Sequence, residues 1–189
     1  MGYLSDSELK KLNPKSLGEN VNIADDAVLI GIENMSFGSH IRIDSNTVIV
    51  AIPGFLNVGS YVHISAGCYL ACSSGLTLED YVGLSAHVKV FTASEDFSGE
   101  TLHNPMVPET YKNIKRGPVV IGRHSIIGAG STILPGVRIG PSTAVGAMSL
   151  VNKSLDSFGT YFGVPVKRMG ERSKQHLVLE ADFKKSQER

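Results

Sequence analysis

The sequence predicts an all-β fold, a parallel β-solenoid of triangular coils with a protruding loop, and three observations lead to this prediction. An aliphatic residue recurs at every sixth position, most regularly between Ile121 and Val151. The fourth residue after it is usually small or β-branched. One segment, 94–117, interrupts the repeat. A helix has a period of 3.6 and a strand has a period of two, so neither element alone explains a spacing of six.

A six-residue unit is long enough for one short strand and one turn, and three units close a coil. Coils of this kind stack through parallel backbone ladders, with the aliphatic side chains in the interior. We expect the glycines and the Asn or Asp residues beside the aliphatics to allow the turns. We call the aliphatic residue that recurs in each six-residue unit its leader. Each predicted coil has three leaders: Leu17, Ile23, Leu29; Phe37, Ile43, Ile49; Val58, Ile64, Leu70; Leu78, Leu84, Val90; Ile121, Ile127, Ile133; and Ile139, Val145, Val151.

The two ends of the chain read as helices. At the N-terminus, Ser5 and Glu8 have the spacing of a capping box, and Asn13 and Pro14 follow as a stop. The last residues predict an amphipathic helix with Leu177, Val178, Ala181 and Phe183 on one side, which we expect to cap the end of the solenoid. The predicted division is 1–16 for the N-terminal helical segment, 17–160 for the β-helix, and 161–189 for the exit strand and the C-terminal helix.

Composition excludes several classes of protein. The chain has 18 Lys and Arg against 18 Asp and Glu, which disfavours nucleic-acid or membrane-surface binding. It contains no apolar run long enough to span a membrane, and its N-terminus does not resemble a secretory signal. Cys68 and Cys72 are too far apart on one strand for a disulfide. Two reduced thiols predict a cytoplasmic protein.

The stretch "GPVVIGRHSIIGAGSTILPGVRIG" and the exit "GVPVKR" resemble the hexapeptide-repeat acyltransferases, which include the galactoside and maltose O-acetyltransferases. The resemblance covers about residues 56–170. It implies a left-handed parallel β-helix, a homotrimer with active sites between subunits, and acetyl-CoA or a longer acyl-CoA as co-substrate. The loop sequence "FTASEDFSGETLHNP" is closer to a subgroup that serves deoxysugar and surface-polysaccharide pathways, some of whose members acylate a nucleotide-linked amino sugar.

Three positions depart from the galactoside and maltose enzymes, so a galactoside or maltoside substrate is in doubt. Glu95 stands where those enzymes have a histidine base, Ser65 where they have an asparagine that holds the sugar, and Ser73 where they have an aspartate. We expect Ser65, at the asparagine position, and Ser85, beside the same cleft, to contact the acceptor sugar. A solenoid corner would also place a polar residue at Ser85.

The acidic pair Glu95 and Asp96 indicates a possible catalytic centre at the start of the loop. A carboxylate of ordinary pKa is a weak base for a sugar hydroxyl, whereas an amine, once deprotonated, needs only to be oriented. The pair therefore favours N-acylation, and His103 is a further catalytic candidate. His63, His87 or His103 could instead be the base for O-acylation, and a simple solvated turn would also explain the two acids.

The resemblance also implies the residues that would bind CoA. Small residues would let the pantetheine arm approach the backbone, and cations would hold its phosphates. The Ala129 N–H is a candidate donor to the oxyanion of the reaction. The two alanines could equally be required by the fit of the coils. The candidate CoA residues are Ala129, Ala147, Asn152, Lys153, Lys167 and Arg168.

The predicted function is transfer of an acyl group from acyl-CoA to a sugar, either a nucleotide-linked amino sugar or a surface-polysaccharide (O-antigen) precursor. One alternative is a galactoside or maltoside O-acetyltransferase with a relocated histidine base. A second, from another class, is a noncatalytic β-helix scaffold. A third, a zinc protein of the carbonic anhydrase kind, would need His63, His87 and His124 to meet. The predicted coils place them on different faces, so we expect no metal.

Overall fold

The computed structural model describes residues 2–187, which form the predicted left-handed parallel β-helix. The helices are α1 (Asp6–Lys11) and α2 (Gln175–Gln187), with short 3-10 turns at Ile32–Asn34 and Glu109–Tyr111. The strands are β1 (Ser16–Leu17), β2 (Val21–Ile23), β3 (Val28–Ile30), β4 (Met35–Phe37), β5 (Ile41–Ile43), β6 (Val48–Val50), β7 (Leu56–Val58), β8 (His63–Ile64), β9 (Tyr69–Ala71), β10 (Leu76–Leu78), β11 (Gly83–Leu84), β12 (Lys89–Phe91), β13 (Ala93–Ser94), β14 (Lys115–Arg116), β15 (Val119–Ile121), β16 (Ile126–Ile127), β17 (Thr132–Ile133), β18 (Arg138–Ile139), β19 (Ala144–Val145), β20 (Leu150–Val151), β21 (Gly159–Gly163) and β22 (Val166–Glu171).

Three sheets form the sides of the triangular coil. Sheet one has the order β1-β4-β7-β10-β15-β18, sheet two β2-β5-β8-β11-β16-β19-β21-β22, and sheet three β20-β17-β12-β9-β6-β3. The register pairs each predicted coil leader with the leader of the next coil on the same sheet, as in Leu78 with Ile121, Leu84 with Ile127 and Val90 with Ile133. The predicted grouping into coils is confirmed across the long interruption before Ile121.

The core is a single column of apolar side chains inside the coils. Leaders such as Ile43, Leu70 and Ile133 have no exposed surface. The small residues four positions after the leaders are buried as well, among them Thr47 and Ser131. Burying an aliphatic side chain of this size contributes about 1.5–3 kcal/mol, so the column is the main stabilising feature of the fold.

The turn positions differ from the sequence expectation. Positive φ angles occur at the third residue after a leader, as at Tyr81 (59°) and His124 (59°), and not at the residue next to the leader. The glycine beside the leader is needed because stacked coils approach closely there. A Cβ atom on Gly122 would lie 2.5 Å from the Pro141 nitrogen of the next coil. These glycines therefore serve coil spacing, and the corner residues form the turns.

The interruption of the repeat is a loop that leaves between sheet three and sheet one. Its base is closed by an antiparallel pairing of β13 with β14, in which Ala93 faces Arg116 and Ser94 faces Lys115. The coil then resumes at β15. The loop therefore projects from one fixed corner of the solenoid.

Helix α1 begins as the sequence predicts. The Ser5 side chain accepts the Glu8 N–H, and the Glu8 carboxylate accepts the Ser5 N–H at 2.8 Å. Leu9 is buried against the first coil. No helix among residues 2–187 is both long enough and apolar enough to span a membrane.

The predicted capping role of the C-terminal helix is wrong, and of its predicted apolar side Phe183 packs on the solenoid while Leu177 and Val178 are exposed. Helix α2 lies along the corner between sheets one and two and contacts it through polar and aromatic groups, so it does not cap the end of the solenoid. His176 hydrogen-bonds Ser142 at 2.9 Å, Glu180 hydrogen-bonds His124 at 2.6 Å, and Phe183 packs edge-on against Tyr61. These three residues lie on one helix face, while Val178 and Leu179 are more than half exposed.

The exit from the solenoid is a hairpin. Strand β21 still pairs in parallel with β19, and β22 turns back antiparallel to β21. The last parallel strand therefore spans the predicted boundary at residue 160. The division of the chain into 1–16, 17–160 and 161–189 stays a prediction.

Replacing Gly122 with alanine tests the close approach of the coils. We expect Gly122→Ala to lower the free energy of unfolding by about 1–3 kcal/mol, because the new Cβ overlaps backbone atoms of the next coil. Gly170→Ala is the matched control, since a Cβ there meets nothing within 4 Å and its φ is not positive. Denaturant unfolding measures both variants, and a Gly122→Ala protein as stable as wild type would contradict the spacing role.

The two thiols provide a second test of the core. Burial raises the pKa of Cys68 to about 11 and the pKa of Cys72 to about 12, so both stay protonated near neutral pH. We expect the thiols of the folded protein not to react with a thiol-specific colorimetric reagent at pH 8. After denaturation, the reagent should detect two thiols per chain. Rapid reaction of either thiol in the folded protein would show that this part of the core is open.

Candidate functional site

The corner between sheets two and three carries a column of small residues. Each residue directly follows a sheet-two leader, so parallel stacking puts them one above another. Ser65 donates its N–H to the Leu84 carbonyl at 2.9 Å, and Ser85 donates to the Ile127 carbonyl at 2.9 Å. The column runs Asp44, Ser65, Ser85, Gly128 and Gly146. The two predicted substrate-binding serines are therefore neighbours on adjacent coils.

The predicted CoA alanines lie on the same corner, one residue further along. Ala129 and Ala147 are exposed and stand on consecutive coils. The Ala129 carbonyl accepts the Met148 N–H at 2.8 Å, while within residues 2–187 neither alanine N–H donates to a protein acceptor. Exposed backbone N–H groups beside small side chains can pair with the amides of a pantetheine arm, which is the role predicted for these two alanines.

The predicted phosphate-binding residues lie at the C-terminal end of the solenoid, at two different corners. Asn152 and Lys153 come after sheet three on the way to sheet one, whereas Lys167 and Arg168 lie on the hairpin that is added to sheet two. Lys153 follows β20, and Lys167 and Arg168 lie on β22, opposite Phe162 and Tyr161 of β21. Phe162 covers Gly146, and the Gly163 N–H donates to the Ser149 hydroxyl, so the hairpin is joined to the last coil. Arg168 is paired with Glu171 at 2.5 Å, whereas neither lysine forms an ion pair within residues 2–187. Asn152 is exposed beside Lys153.

The loop brings the three predicted catalytic residues together. Glu95, Asp96 and His103 all line one cavity of about 550 Å³, which Phe97 and Pro105 help to enclose. Sequence reasoning placed all three on the loop, but only the folded loop shows that they share a cavity.

The two acids of the loop have different surroundings. The Asp96 carboxylate accepts the Ser98 N–H and the hydroxyls of Ser98 and Thr101, and these hydrogen bonds lower its pKa below the usual range. Asp96 therefore shapes the turn. Glu95 is part-buried, and among the described residues its Oε2 atom is buried without a hydrogen-bond partner. A buried unpaired carboxylate oxygen is unfavourable, so Glu95 is the acid with a free acceptor.

Within one chain, the two halves of the predicted site lie at different corners. Ser65, Ser85 and Ala129 lie between sheets two and three, whereas Glu95 and His103 lie on the loop between sheets three and one. Strand β12 of sheet three separates Ser85 from the start of the loop. A single chain therefore does not bring the predicted acid and the predicted substrate-binding serines into one cleft.

The histidines do not meet as a zinc site would require. His63 pairs with Asp44 at 2.8 Å, His87 stands over Gly67, and His124 pairs with Glu180. Across residues 2–187, no three His, Cys, Asp or Glu side chains are grouped to hold a metal ion.

A polar cluster near the N-terminus was missed by sequence reasoning. Asp44 accepts hydrogen bonds from Arg42 Nε at 2.6 Å and from the Tyr3 hydroxyl at 3.3 Å, in addition to its contact with His63. Burial opposes ionisation of Asp44, but the hydrogen bonds from His63 and Arg42 outweigh it and lower its pKa. The sequence does indicate that Asp44 belongs to the site, because Asp44 occupies the same position in its six-residue unit as Ser65 and Ser85.

The sequence of this chain is similar to those of known bacterial transferases. The bacterial transferase hexapeptide family (six repeats) matches residues 118–153. The dTDP-4-amino-4,6-dideoxy-D-glucose acyltransferase of Escherichia coli is 40% identical over 98% of this chain and 97% of its own length. A galactoside O-acetyltransferase of Lactococcus lactis is 32% identical over 67% of this chain and 58% of its own length.

Solved structures extend the similarity to the whole fold. AntD, an N-acyltransferase from Bacillus cereus, superposes with a TM-score of 0.96 at 39% identity over 100% of both chains, in a complex with dTDP and 3-hydroxybutyryl-CoA. A variant of AntD, solved with dTDP-4-amino-4,6-dideoxyglucose and coenzyme A, gives a TM-score of 0.95 over 98% of both chains.

These similarities confirm the enzyme class and the CoA co-substrate that the sequence predicts, in preference to a noncatalytic scaffold. The repeat, the coil register and a relative similar over nearly the full length agree with one another. The chain belongs to the hexapeptide-repeat acyltransferases, enzymes that use acyl-CoA.

Proposed function

We propose that this protein transfers an acyl group from a CoA thioester to the 4-amino group of a dTDP-linked 4-amino-4,6-dideoxy sugar. The observation that carries the proposal is the Glu95 carboxylate, which stands at the position of the histidine base, lines the loop cavity and has one oxygen that no donor among the described residues satisfies. The activities of the similar E. coli enzyme and of AntD support this substrate class.

Glu95 is better suited to assist an amine as the nucleophile than to assist a hydroxyl. A neutral amine has a nucleophilic lone pair, so it needs orientation more than a strong base. The Glu95 oxygen accepts an N–H of the amine and aims the lone pair at the thioester carbon. A C–N bond forms, the C–S bond breaks, and the proton lost by nitrogen ends on the departing sulfur.

The corner column provides the other half of the site. A bound acyl-CoA supplies the activated acyl group. The N–H groups of Ala129 and Ala147 bind its amides and the developing oxyanion, and Lys167 binds its phosphates. Lys153 lies at the corner that carries the loop, so the chain that supplies Glu95 also supplies Lys153 to the phosphates. Ser85 lies two coils before Ala147 and contacts the acceptor sugar. Because Glu95 and Ser85 lie at different corners, the complete site joins the loop of one chain to the corner of a neighbour.

A closed trimer supplies that neighbour at every site by symmetry. We include the homotrimer in the proposal, together with a cytoplasmic location beside the supply of nucleotide sugar and acyl-CoA. A role in surface-polysaccharide assembly rests on the resemblance of the loop sequence. The acceptor is a small molecule, so no nucleic acid or membrane takes part.

Substitutions in the loop test the assigned roles. We expect Glu95→Gln to lower kcat by about 10–100-fold, the value of one hydrogen bond to a charged group. His103→Ala and Asp96→Asn should lower kcat by less than about threefold, because His103 is exposed and asparagine can still accept the Ser98 N–H. The measurement is release of CoA thiol from acetyl-CoA with dTDP-4-amino-4,6-dideoxyglucose as acceptor.

The matched acceptor control is dTDP-6-deoxyglucose, which differs from the substrate only in having a 4-hydroxyl in place of the amine. No thiol release with dTDP-6-deoxyglucose is expected. Equal rates with both acceptors, or loss of activity in His103→Ala with full activity in Glu95→Gln, would favour the O-acetyltransferase with a relocated histidine base.

A further inference from the structure

A second pocket lies on the same corner, toward the N-terminus from Ser65. It has a volume of about 370 Å³. It is lined by Gly2, Tyr3, Ala24, Arg42, Asp44, Ser45 and Ala66. Asp44 connects this pocket to the corner column, whereas neither the loop nor the predicted CoA residues line it.

Asp44 organises this pocket. Its side chain is only 14% exposed and accepts from Arg42, His63 and Tyr3 at once. A carboxylate with three donors is fixed in position and fixes its donors in turn. The arginine in this pocket is therefore held in place before any ligand arrives.

Arg42 is held in a way that leaves its phosphate-binding end accessible. Asp44 contacts the Nε atom, so the two Nη amino groups form the outer end of a side chain that is 60% exposed. A planar guanidinium binds phosphate oxygens with paired hydrogen bonds. The Tyr3 ring, 46% exposed, lies 5.9 Å from the guanidinium carbon. An oriented cation beside an exposed aromatic ring matches the diphosphate and the base of a nucleotide.

The position of the pocket on the column fits the length of the acceptor. Asp44, Ser65 and Ser85 follow one another on consecutive coils, which stand about 5 Å apart. Asp44 is therefore about 10 Å below Ser85, which is of the order of the distance from a sugar amine across the ring to a diphosphate. The predicted CoA residues Ala129 and Ala147 lie in the opposite direction from Ser85.

We infer that the Tyr3–Arg42–Asp44 pocket binds the nucleoside diphosphate part of the acceptor, with Arg42 on the diphosphate and Tyr3 against the base. This inference rests on the proposed function for the identity of the sugar. The two substrates then enter one groove from opposite ends: CoA from the C-terminal coils and the nucleotide from the N-terminal coils. Their reactive ends meet beside Ser85.

Binding of dTDP alone, measured by calorimetry on the full-length protein, tests the inference without requiring turnover. We expect Arg42→Ala to weaken dTDP binding by about tenfold or more. Arg42→Lys, which keeps the positive charge but cannot form the paired hydrogen bonds of a guanidinium, should weaken it less. Tyr3→Leu should weaken dTDP binding and leave the binding of inorganic pyrophosphate unchanged. Arg138→Ala is the matched control, because Arg138 is a similarly exposed arginine on the outer face of sheet one.

Kinetics separate a binding role from a structural one. Arg42→Ala should raise KM for the nucleotide sugar and leave KM for acetyl-CoA and the melting temperature unchanged. Unaltered dTDP binding in Arg42→Ala, equal weakening in Arg138→Ala, or no dTDP binding by the wild type would overturn the inference. If dTDP binding depends on Arg42 but no amino sugar is acylated, the proposed function fails and the pocket assignment stands.

Discussion

The stacking of coils by parallel backbone ladders is the constraint on which the rest of the structure depends. It brings residues on successive coils about 5 Å apart and keeps their order, so one position in the hexad becomes a continuous column. The interior column of leaders stabilises the fold. The exterior residues at the corner between sheets two and three form a straight column of small or short polar side chains. Glycines such as Gly122 maintain the spacing, because any side chain there would meet the next coil.

Much of this architecture could be predicted because it follows from local chemistry repeated many times. Each leader is aliphatic, and each unit has the same length, so the partners of Leu78 and Val90 could be inferred across the loop. The turn role that the sequence predicts for the glycines is wrong for a physical reason. Their sequence position suggests a turn, but the close contact that requires them is made with a different coil.

The functional elements were harder to predict because they depend on contacts between distant parts of the chain. The inward face of helix α2 is set by the pairing of Glu180 with His124 and Arg123, which apolar periodicity does not reveal. Asp44 gains its importance only when Tyr3, Arg42 and His63 gather around it. Glu95 was identified from its place in the loop, but its free buried oxygen is a property of the folded loop.

The central claim is that a complete site joins the Glu95 loop of one chain to the Ser85–Ala129 corner of another. Mixed trimers test it directly. Glu95→Gln disables the loop and Ala129→Phe blocks the corner, so each variant alone should be nearly inactive. When the two are co-assembled in equal amounts, about a quarter of the sites should combine an intact loop with an intact corner, and activity should return in that proportion. If loop and corner of the same chain formed the site, no intact site could arise, and activity that stayed at the level of the separate variants would contradict the account.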